Sequence, residues 1–488
     1  MINDPSKSKR QEQFIATWLK NKGCGTGNLV TRFGKTEIAK RIVDRSLNKN
    51  PDFKILALAP NDITRQNLAN NLDPRIEVCT PFHVINNYED YSKREFDILI
   101  VDEIHKFVKG KSASCLKLTA KFKLGLTGDK LRNADKAYLQ HQGFPIIDTI
   151  TEDEALENNW ISDFIEYNLP VDIEEYKLDK YVAISNRIND TLETYKGLYK
   201  KLNIIFKTKV FDGDVPMIYA MYSGTKVKHG FKFTFIPGEV IRAALANAMG
   251  WKVDMEINTS FDRQLNTFFN PSQLFETSKL FNSMIRDRNN LIINSRNKIE
   301  MVLKVLDRNP APTIIFNESI NMASDITNSL NQTVESNRAI EYHSMVESRY
   351  IVNPETNEFY CAKNGNPIKF GATRLKRLAI EGIKDGTFKY IVTAKALNEG
   401  VDIPILSQVI TTGGTTNPST HLQRTARGKT IDQLQPDKVT KIINVYIRDF
   451  EYNGVIVASR DEQKLKIRQD DTTVIWVDSL DDIFTDHV

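Results

Sequence analysis

The sequence predicts two tandem α/β layers with parallel sheets, separated by a mostly helical segment. Three observations carry this. Runs that are apolar on both faces recur in the first third, at 53–59 (FKILALA), 96–101 (FDILIV) and 123–127 (KLGLT). Strands buried on both faces of a parallel sheet read this way. The same texture returns late, at 313–316 (TIIF), 390–393 (YIVT), 408–412 (QVITT) and 441–447 (KIINVYI). Helix-period stretches lie between the runs, as at 36–47, where Ile38, Ala39, Ile42, Val43 and Leu47 share one face.

Between the layers the composition changes. Residues 176–209 are charged and helical in period, with Ile184, Ile188, Leu192 and Leu198 among polar neighbours, and 253–298 is rich in helix formers. The expected organisation is a first domain over 1–171, a mostly helical insertion over 172–285, and a second α/β domain over 286–453. A tail over 454–488 is expected to pack on the second domain. Within that domain, 358–370 (EFYCAKNGNPIKF) reads as a hairpin turning at Asn364-Gly365.

Composition excludes several classes. With 488 residues the chain can bury full cores without disulfide staples. Cys24, Cys79, Cys115 and Cys361 lie far apart with no CxxC pair, so reduced thiols are expected rather than a zinc site. No run of 18 apolar residues occurs, so no membrane span is expected. The opening MINDPSKSKRQEQ has no apolar signal core, and a cytoplasmic, intracellular protein is expected. The net charge of +4, from 66 basic and 62 acidic residues, is too mild to demand or exclude a nucleic-acid partner.

The chemistry starts at Gly34-Lys35-Thr36, between a strand and a helix. In a P-loop the backbone N–H groups at the helix start cradle phosphates, the lysine reaches the β- and γ-phosphates, and the hydroxyl binds Mg²⁺. The full pattern has Gly five positions before Gly34, where this chain has Leu29, so VTRFGKT is a degenerate version. Alone it equally describes a helix start with an exposed lysine. Asp102-Glu103 directly follows the run ILIV, so both carboxylates emerge at the carboxyl end of a strand, where open α/β sheets bind ligands. There Asp102 can hold Mg²⁺ and Glu103 can polarise an attacking water. The plainer alternative, a solvated acidic turn, loses weight because the GKT tripeptide precedes it.

These residues resemble a family. Asp102-Glu103-Ile104-His105 is similar to motif II of superfamily 2 (DEAD/DEAH-type) helicases, and further pieces follow in the family's order. Arg10-x-x-Gln13 resembles the adenine-reading segment, and VTRFGKT motif I. Pro60 with Gln66 resembles motif Ia, Thr80-Pro81 the next backbone contact, and 126–129 (LTGD) motif III. Residues 314–317 (IIFN) resemble motif IV, 396–404 (ALNEGVDIP) motif V, and Gln423-Arg424-x-x-Arg427 motif VI. The segment TEDEALENNWIS resembles the phage UvsW-like and restriction-type branch.

The resemblance implies two RecA-like P-loop domains and an ATP-dependent DNA helicase or translocase, with ATP and Mg²⁺ as cofactors. It implies catalytic roles for Lys35, Asp102, Glu103, Arg427, Arg424 and Gln423. Nucleotide contacts would come from Gln13, Arg32, Gly34, Lys35, Thr36, Gly400 and Asp402, and metal contacts from Thr36 and Asp102. Arg427, or else Arg424, would be the arginine that neutralises transition-state charge from the opposing domain. Gln66, Thr80 and Thr393 would touch nucleic acid, DNA more readily than RNA, and His105 would couple the site to Thr127. A monomer or loose oligomer is expected. An RNA helicase, or a nucleic-acid-binding scaffold or motor subunit with weak ATPase, remain the alternatives.

The sequence departs from the family at Ala426, usually Gly, and at Thr430, usually a second arginine. Lys429 is the substitute at hand, or Arg424 carries more of the load. Arg32 is either an extra phosphate contact or a tolerated residue at the loop edge. Thr393 is either a backbone contact or a strand-end cap. Basic, aromatic-flecked stretches at 199–201 and 226–233 suit a single strand, and equally suit a solvated face.

Overall fold

The computed structural model describes residues 4–129, 131–229, 232–250, 252–253, 268–269, 271–333, 338–394, 403, 405–413, 418–432, 435, 437–468 and 474–484. The chain forms two compact units. One comprises 1–171, 298–447 and 461–488, and the other 172–297 and 448–460.

The first unit opens with a six-stranded sheet of β1 (Cys24–Leu29), β2 (Ile55–Leu58), β3 (Glu77–Cys79), β4 (Phe96–Val101), β5 (Ala120–Thr127) and β6 (Ile146–Ile150). Its order is β3-β2-β4-β5-β1-β6, and every pairing is parallel. β2 is buried at every position and β4 at all but Asp97, which is why both appear as unbroken apolar runs. Helices α1 (Pro5–Lys20) and α2 (Lys35–Lys49) flank β1. Ile38, Ala39, Ile42, Val43 and Leu47 of α2 are buried, a stripe with helical spacing. They share a core with Phe14, Ile15 and Trp18 of α1. Burial of each larger side chain contributes about 1.5–3 kcal/mol, so packing rather than propensity holds these helices.

The same unit holds a second, seven-stranded sheet: β7 (Phe164–Val171), β8 (Thr313–Asn317), β9 (Ala339–His343), β10 (Tyr390–Ala394), β11 (Gln408–Thr411), β12 (Thr440–Ile447) and β13 (Val474–Trp476). The order is β9-β10-β8-β11-β12-β7-β13, again parallel throughout. The two expected parallel layers are therefore present.

The boundaries differ from those read in the sequence. β7, at the end of the segment assigned to the first domain, pairs with β12 over its whole length, from Phe164 opposite Thr440 to Val171 opposite Ile447. Polar complementarity explains the choice: the Asn444 amide donates to Glu166 Oε1 at 2.6 Å and to Asn168 Oδ1 at 3.0 Å. β13 pairs on the other side of β7 and draws the tail into the sheet. Residues 358–370 turn at Gly365, whose φ is +81°. The two legs pair separately, Glu358–Phe359 with Val352–Asn353 and Lys369–Phe370 with Arg349–Tyr350.

The second unit is mostly helical. It contains Glu175–Thr194, Leu198–Ile205, Asp214–Ser223, Gly238–Ala248 and Pro271–Ile293, with an antiparallel hairpin of Thr225–His229 and Lys232–Ile236. Leu202, Met217, Met221, Ile241, Leu245 and Phe281 belong to its core. The helix Pro271–Ile293 runs straight across the boundary expected at 285, because its apolar face is continuous with this core. Residues 448–460, expected in the second domain and the tail, also belong here. No helix among the described residues is long and apolar enough to cross a membrane.

At the carboxyl edge of the second sheet, Lys298 is fully buried and donates to the Thr412 carbonyl at 2.7 Å and to Asp461, which also accepts from the Ile447 N–H at 3.1 Å. One ion pair thus ties the ends of β11 and β12 to the helix Arg460–Arg468. Removing one partner of a buried pair leaves an uncompensated charge and costs about 3–5 kcal/mol, whereas an apolar pair of similar volume can be neutral. Asp461→Ala should therefore lower the urea midpoint strongly, and the double change Lys298→Met, Asp461→Leu should recover most of the loss. Equal midpoints for wild type and Asp461→Ala would refute this.

Candidate active site

Because the first sheet is parallel, β1, β5 and β4 end on one edge as direct neighbours. Lys35 follows β1, Thr127 ends β5 and Asp102-Glu103 follows β4. The structure brings these side chains together. Lys35 Nζ lies 2.6 Å from Glu103 Oε1. His105 Nδ1 is 2.9 Å from Thr127 Oγ1 and 3.4 Å from Glu103 Oε2. His105 Nε2 is 2.8 Å from Asp129 Oδ2, close but without the alignment of a hydrogen bond.

The backbone at this edge is unusual. Gly34 caps α2 at φ +102° and offers no side chain, so the first-turn N–H groups of α2 have no side-chain cap. A Cβ at Gly34 would lie 2.5 Å from Gln11 Nε2, and one at Gly128 would meet Lys35 Nζ at 3.1 Å. Arg32 and Glu103 adopt φ of +73° and +47°, a region costly for non-glycine residues and concentrated at functional sites. An uncapped helix N-terminus with a lysine and close glycine backbone is a set of donors suited to phosphate oxygens. Thr36 is the second residue of α2 and half-buried.

The electrostatics are coupled. Burial works against the Lys35 charge, yet the Glu103 and Asp102 carboxylates prevail and hold the ammonium above the ordinary lysine range. Burial raises Glu103, but Lys35 outweighs it and keeps this carboxyl below its usual value. Asp102 is pushed up to about 6, first by burial and then by the Glu103 charge. The cleft thus carries more carboxylate than Lys35 answers, which suits a cation at Asp102.

The second sheet supplies the helix Pro418–Thr425 and the turn that follows. Its His421 Nε2 is 3.1 Å from Glu166 Oε2 on β7, so β7 positions this helix. Arg424 and Arg427 are buried and Gln423 is half-buried. Arg424 lies 5.7 Å from the Phe316 ring centroid and donates to the Gly413 carbonyl at 3.5 Å. The turn reaches the loop before α2 directly: Arg32 Nε donates to the Ala426 carbonyl at 3.2 Å. Arg32 therefore spans the two sheets' loops. Lys429, the substitute for the missing arginine, is instead paired with Glu152 and sits 3.6 Å from the Phe164 ring centroid.

Other predicted positions fall elsewhere. Gln13 is exposed, while Gln11 is buried and its amide donates to the Phe33 carbonyl at 3.0 Å, so the structure brings Gln11 to the loop in place of Gln13. The reason is helical phase, since two residues along α1 turn Gln13 away from the face that packs. Thr393 is fully buried in β10 and offers no surface to a nucleic-acid strand. Gln66 is exposed on the helix Asp62–Asn71, and Thr80 caps the next helix by accepting from the His83 N–H at 3.4 Å. Gly400 and Asp402 lie outside the described residues.

Sequence reasoning missed Lys7, whose ammonium donates to the Arg32 and Trp160 carbonyls at 2.9 and 2.7 Å. With Gln11 it forms an i, i+4 pair facing the loop, a spacing that was visible in the sequence. It gave no role to Asp129, which sits beside His105, and missed Glu166.

No protein-family model and no curated protein matches the chain. Among solved structures, S. cerevisiae Dbp5 bound to RNA and ADP BeF3 is similar with TM-score 0.50 and 11% identity, covering 96% of this chain and 90% of that one. A point variant of Dbp5 in the same complex aligns with TM-score 0.50 and 12% identity, covering 97% and 90%. The Hef helicase domain of Pyrococcus furiosus aligns with TM-score 0.47 and 16% identity, covering 94% and 97%. The likeness to Dbp5 agrees with the architecture described above: two tandem RecA-like domains with a mostly helical unit.

The raised Asp102 carboxyl has a consequence for stability. The unfolded chain loses this proton near pH 3.8 and the folded chain only near pH 6, so ionisation disfavours the folded state increasingly across that window. Without nucleotide or divalent cation, Asp102→Asn should be more stable than wild type above pH 6, with the gain vanishing near pH 4. Urea midpoints across that range test it, and a gain independent of pH would contradict it.

Proposed function

We propose that the chain is an ATP-dependent nucleic-acid motor, a superfamily 2 helicase or translocase that couples ATP hydrolysis to movement on, or remodelling of, DNA. The observation that carries this reading is the Lys35–Glu103 pair, set beside Asp102, His105 and Thr127 at an uncapped helix N-terminus. In this reading the first-turn N–H groups of α2 and Lys35 receive the ATP phosphates, and Lys35 exchanges Glu103 for them. Mg²⁺ would be held by Thr36 and Asp102 and would supply charge neutralisation. Glu103, freed from Lys35, orients the attacking water. His105, between Glu103, Thr127 and Asp129, links the reacting end to β5.

Arg427 and Arg424 are the arginines available to neutralise charge from the second domain, and Gln423 lies beside them. The Arg32 contact to the Ala426 carbonyl supports placing that turn near the phosphates. Gly400 and Asp402 would complete the nucleotide contacts. Gln66 and Thr80 are the backbone contacts for the strand. The Dbp5 structure, solved with RNA and ADP BeF3, supports nucleotide and nucleic acid as the ligand classes and keeps RNA as the second substrate reading. Because Lys429 is committed to Glu152, the basic role at the motif VI segment falls to Arg424 and Arg427 among the described residues, which favours slow turnover and keeps a weak-ATPase motor subunit or scaffold as the other reading.

ATP turnover measured with single strands, duplexes, forks, four-way junctions and RNA tests this. Turnover should be low alone and rise at least about tenfold with DNA. Lys35→Ala should abolish it while leaving DNA affinity within about threefold. Hydrolysis indifferent to every nucleic acid would sink the motor reading.

A further inference from the structure

The helical unit holds a charge that no carboxylate answers among the described residues. Arg288, on the helix Pro271–Ile293, is 8% exposed, and its Nε is buried without a hydrogen-bond acceptor. Asp287, next in the chain, is exposed and receives the Ser283 hydroxyl at 3.4 Å instead. The titratable groups that act on Arg288 are the Tyr181 and Tyr219 phenols and the Arg460 guanidinium, a like charge. Among the described residues no carboxylate acts on it.

Tyr181 organises this group. It is 1% exposed, its hydroxyl accepts the Arg460 N–H at 3.3 Å, and it donates to the Ala458 carbonyl at 3.3 Å. Tyr219 feels both guanidinium charges and is partly exposed, as is Arg460. One helical turn beyond Tyr181, the buried Ser185 Oγ also lacks a partner. The cluster therefore runs from a shielded guanidinium to one in solvent, with the Arg288 Nε and the Ser185 Oγ without partners along it.

A buried charge is normally paired, because desolvation without a counter-charge is costly. A second guanidinium nearby adds to that cost. An anion with several oxygen acceptors removes both, and phosphate matches the planar fork of arginine. We propose that Arg288 and Arg460, with the Tyr181 and Tyr219 phenols around them, form a phosphate-binding site of the helical unit. The phosphate is either a nucleic-acid backbone group or free phosphate. The free-phosphate arm is independent of the motor reading, and the nucleic-acid arm extends it.

The test uses the full chain as wild type, Arg288→Met and Arg460→Gln. Thermal unfolding is followed in sodium phosphate and in sodium chloride at equal ionic strength, and single-stranded DNA binding by fluorescence anisotropy. Phosphate should raise the wild-type midpoint above that in chloride, by an increment lost in Arg288→Met and reduced in Arg460→Gln. In chloride alone Arg288→Met should melt above wild type, since it removes the uncompensated charge. A DNA affinity about tenfold weaker in Arg288→Met, with a shallower salt dependence, identifies the backbone as the source. Unchanged DNA affinity with the phosphate increment lost identifies free phosphate. Equal increments in all three proteins, arising at the first-sheet cleft alone, overturn the proposal, as does no increment in wild type. If Arg288→Met does not fold, the exposed Arg460→Gln decides in the same way.

Discussion

A parallel sheet ends all its strands at one edge, so charges placed after neighbouring strands must meet. In the first sheet β4, β5 and β1 lie side by side, and their carboxyl ends carry Glu103, Thr127 and Lys35. The 2.6 Å contact between Lys35 and Glu103 is the interaction on which the cleft turns. An ammonium in a half-shielded cleft needs a counter-charge, and Glu103 supplies it. Reaching Lys35 places the Glu103 backbone at φ +47°, a conformation the surrounding structure must hold in place. The site is tight at Gly128, where a Cβ would meet Thr31 Cγ2, the Leu29 carbonyl and Lys35 Nζ at 3.0–3.1 Å, and burial with the Glu103 charge pushes Asp102 toward its protonated form. Each of these features follows from crowding opposite charges at strand ends.

The loop itself is supported from behind rather than by its own sequence. Where glycine is usual this chain has Leu29 and Arg32, so the turn cannot rely on backbone freedom alone. Lys7, Gln11 and the Arg10 pair with Asp148 brace it from α1, through the Arg32 and Phe33 carbonyls and through β6. Arg32 then spans to the Ala426 carbonyl. That turn is held from the other side by β7, through Glu166 on His421 and the Ser162 N–H on the Lys429 carbonyl at 3.0 Å. The chain segment that links the two sheets therefore also fixes the turn between them.

The sheets were legible because burial on both faces leaves a one-dimensional mark. FDILIV and KIINVYI need no alignment to be recognised as parallel strands. The Asp102-Glu103 pair stood out for the same reason, since it directly follows such a run, whereas Gly34-Lys35-Thr36 stood out only by its tripeptide after the glycine-rich stretch CGTGNL. β7 was not, because its polar positions Glu166 and Asn168 find partners on β12 and on the helix Pro418–Thr425, hundreds of residues later. The boundary at 285 failed because helix periodicity continues smoothly through Pro271–Ile293 and gives no signal of where a unit ends. Gln13 and Gln11 differ only in helical phase, which a short motif does not encode. Thr393 shows the converse: a strand-end hydroxyl reads as a contact, yet the neighbouring strands of β10 enclose it.

Two regions of the chain keep charge that their own residues do not balance, and the signs are opposite. Around Asp102 and Glu103 the excess is negative, with Lys35 and Lys106 set against the carboxylates of Asp102, Glu103 and Asp129. Around Arg288 the excess is positive, with a second guanidinium where a carboxylate would ordinarily be. Contrast Lys298 and Asp461, which are as deeply buried but satisfied by each other and by backbone groups. That pair contributes structure and calls for no ligand. An imbalance lowers the stability of the empty protein, and a ligand of the missing sign restores it, because binding to the folded state alone shifts the folding equilibrium by mass action. The sign of each imbalance therefore states the charge of the ligand expected there: a cation at the edge of the first sheet, and an anion in the helical unit.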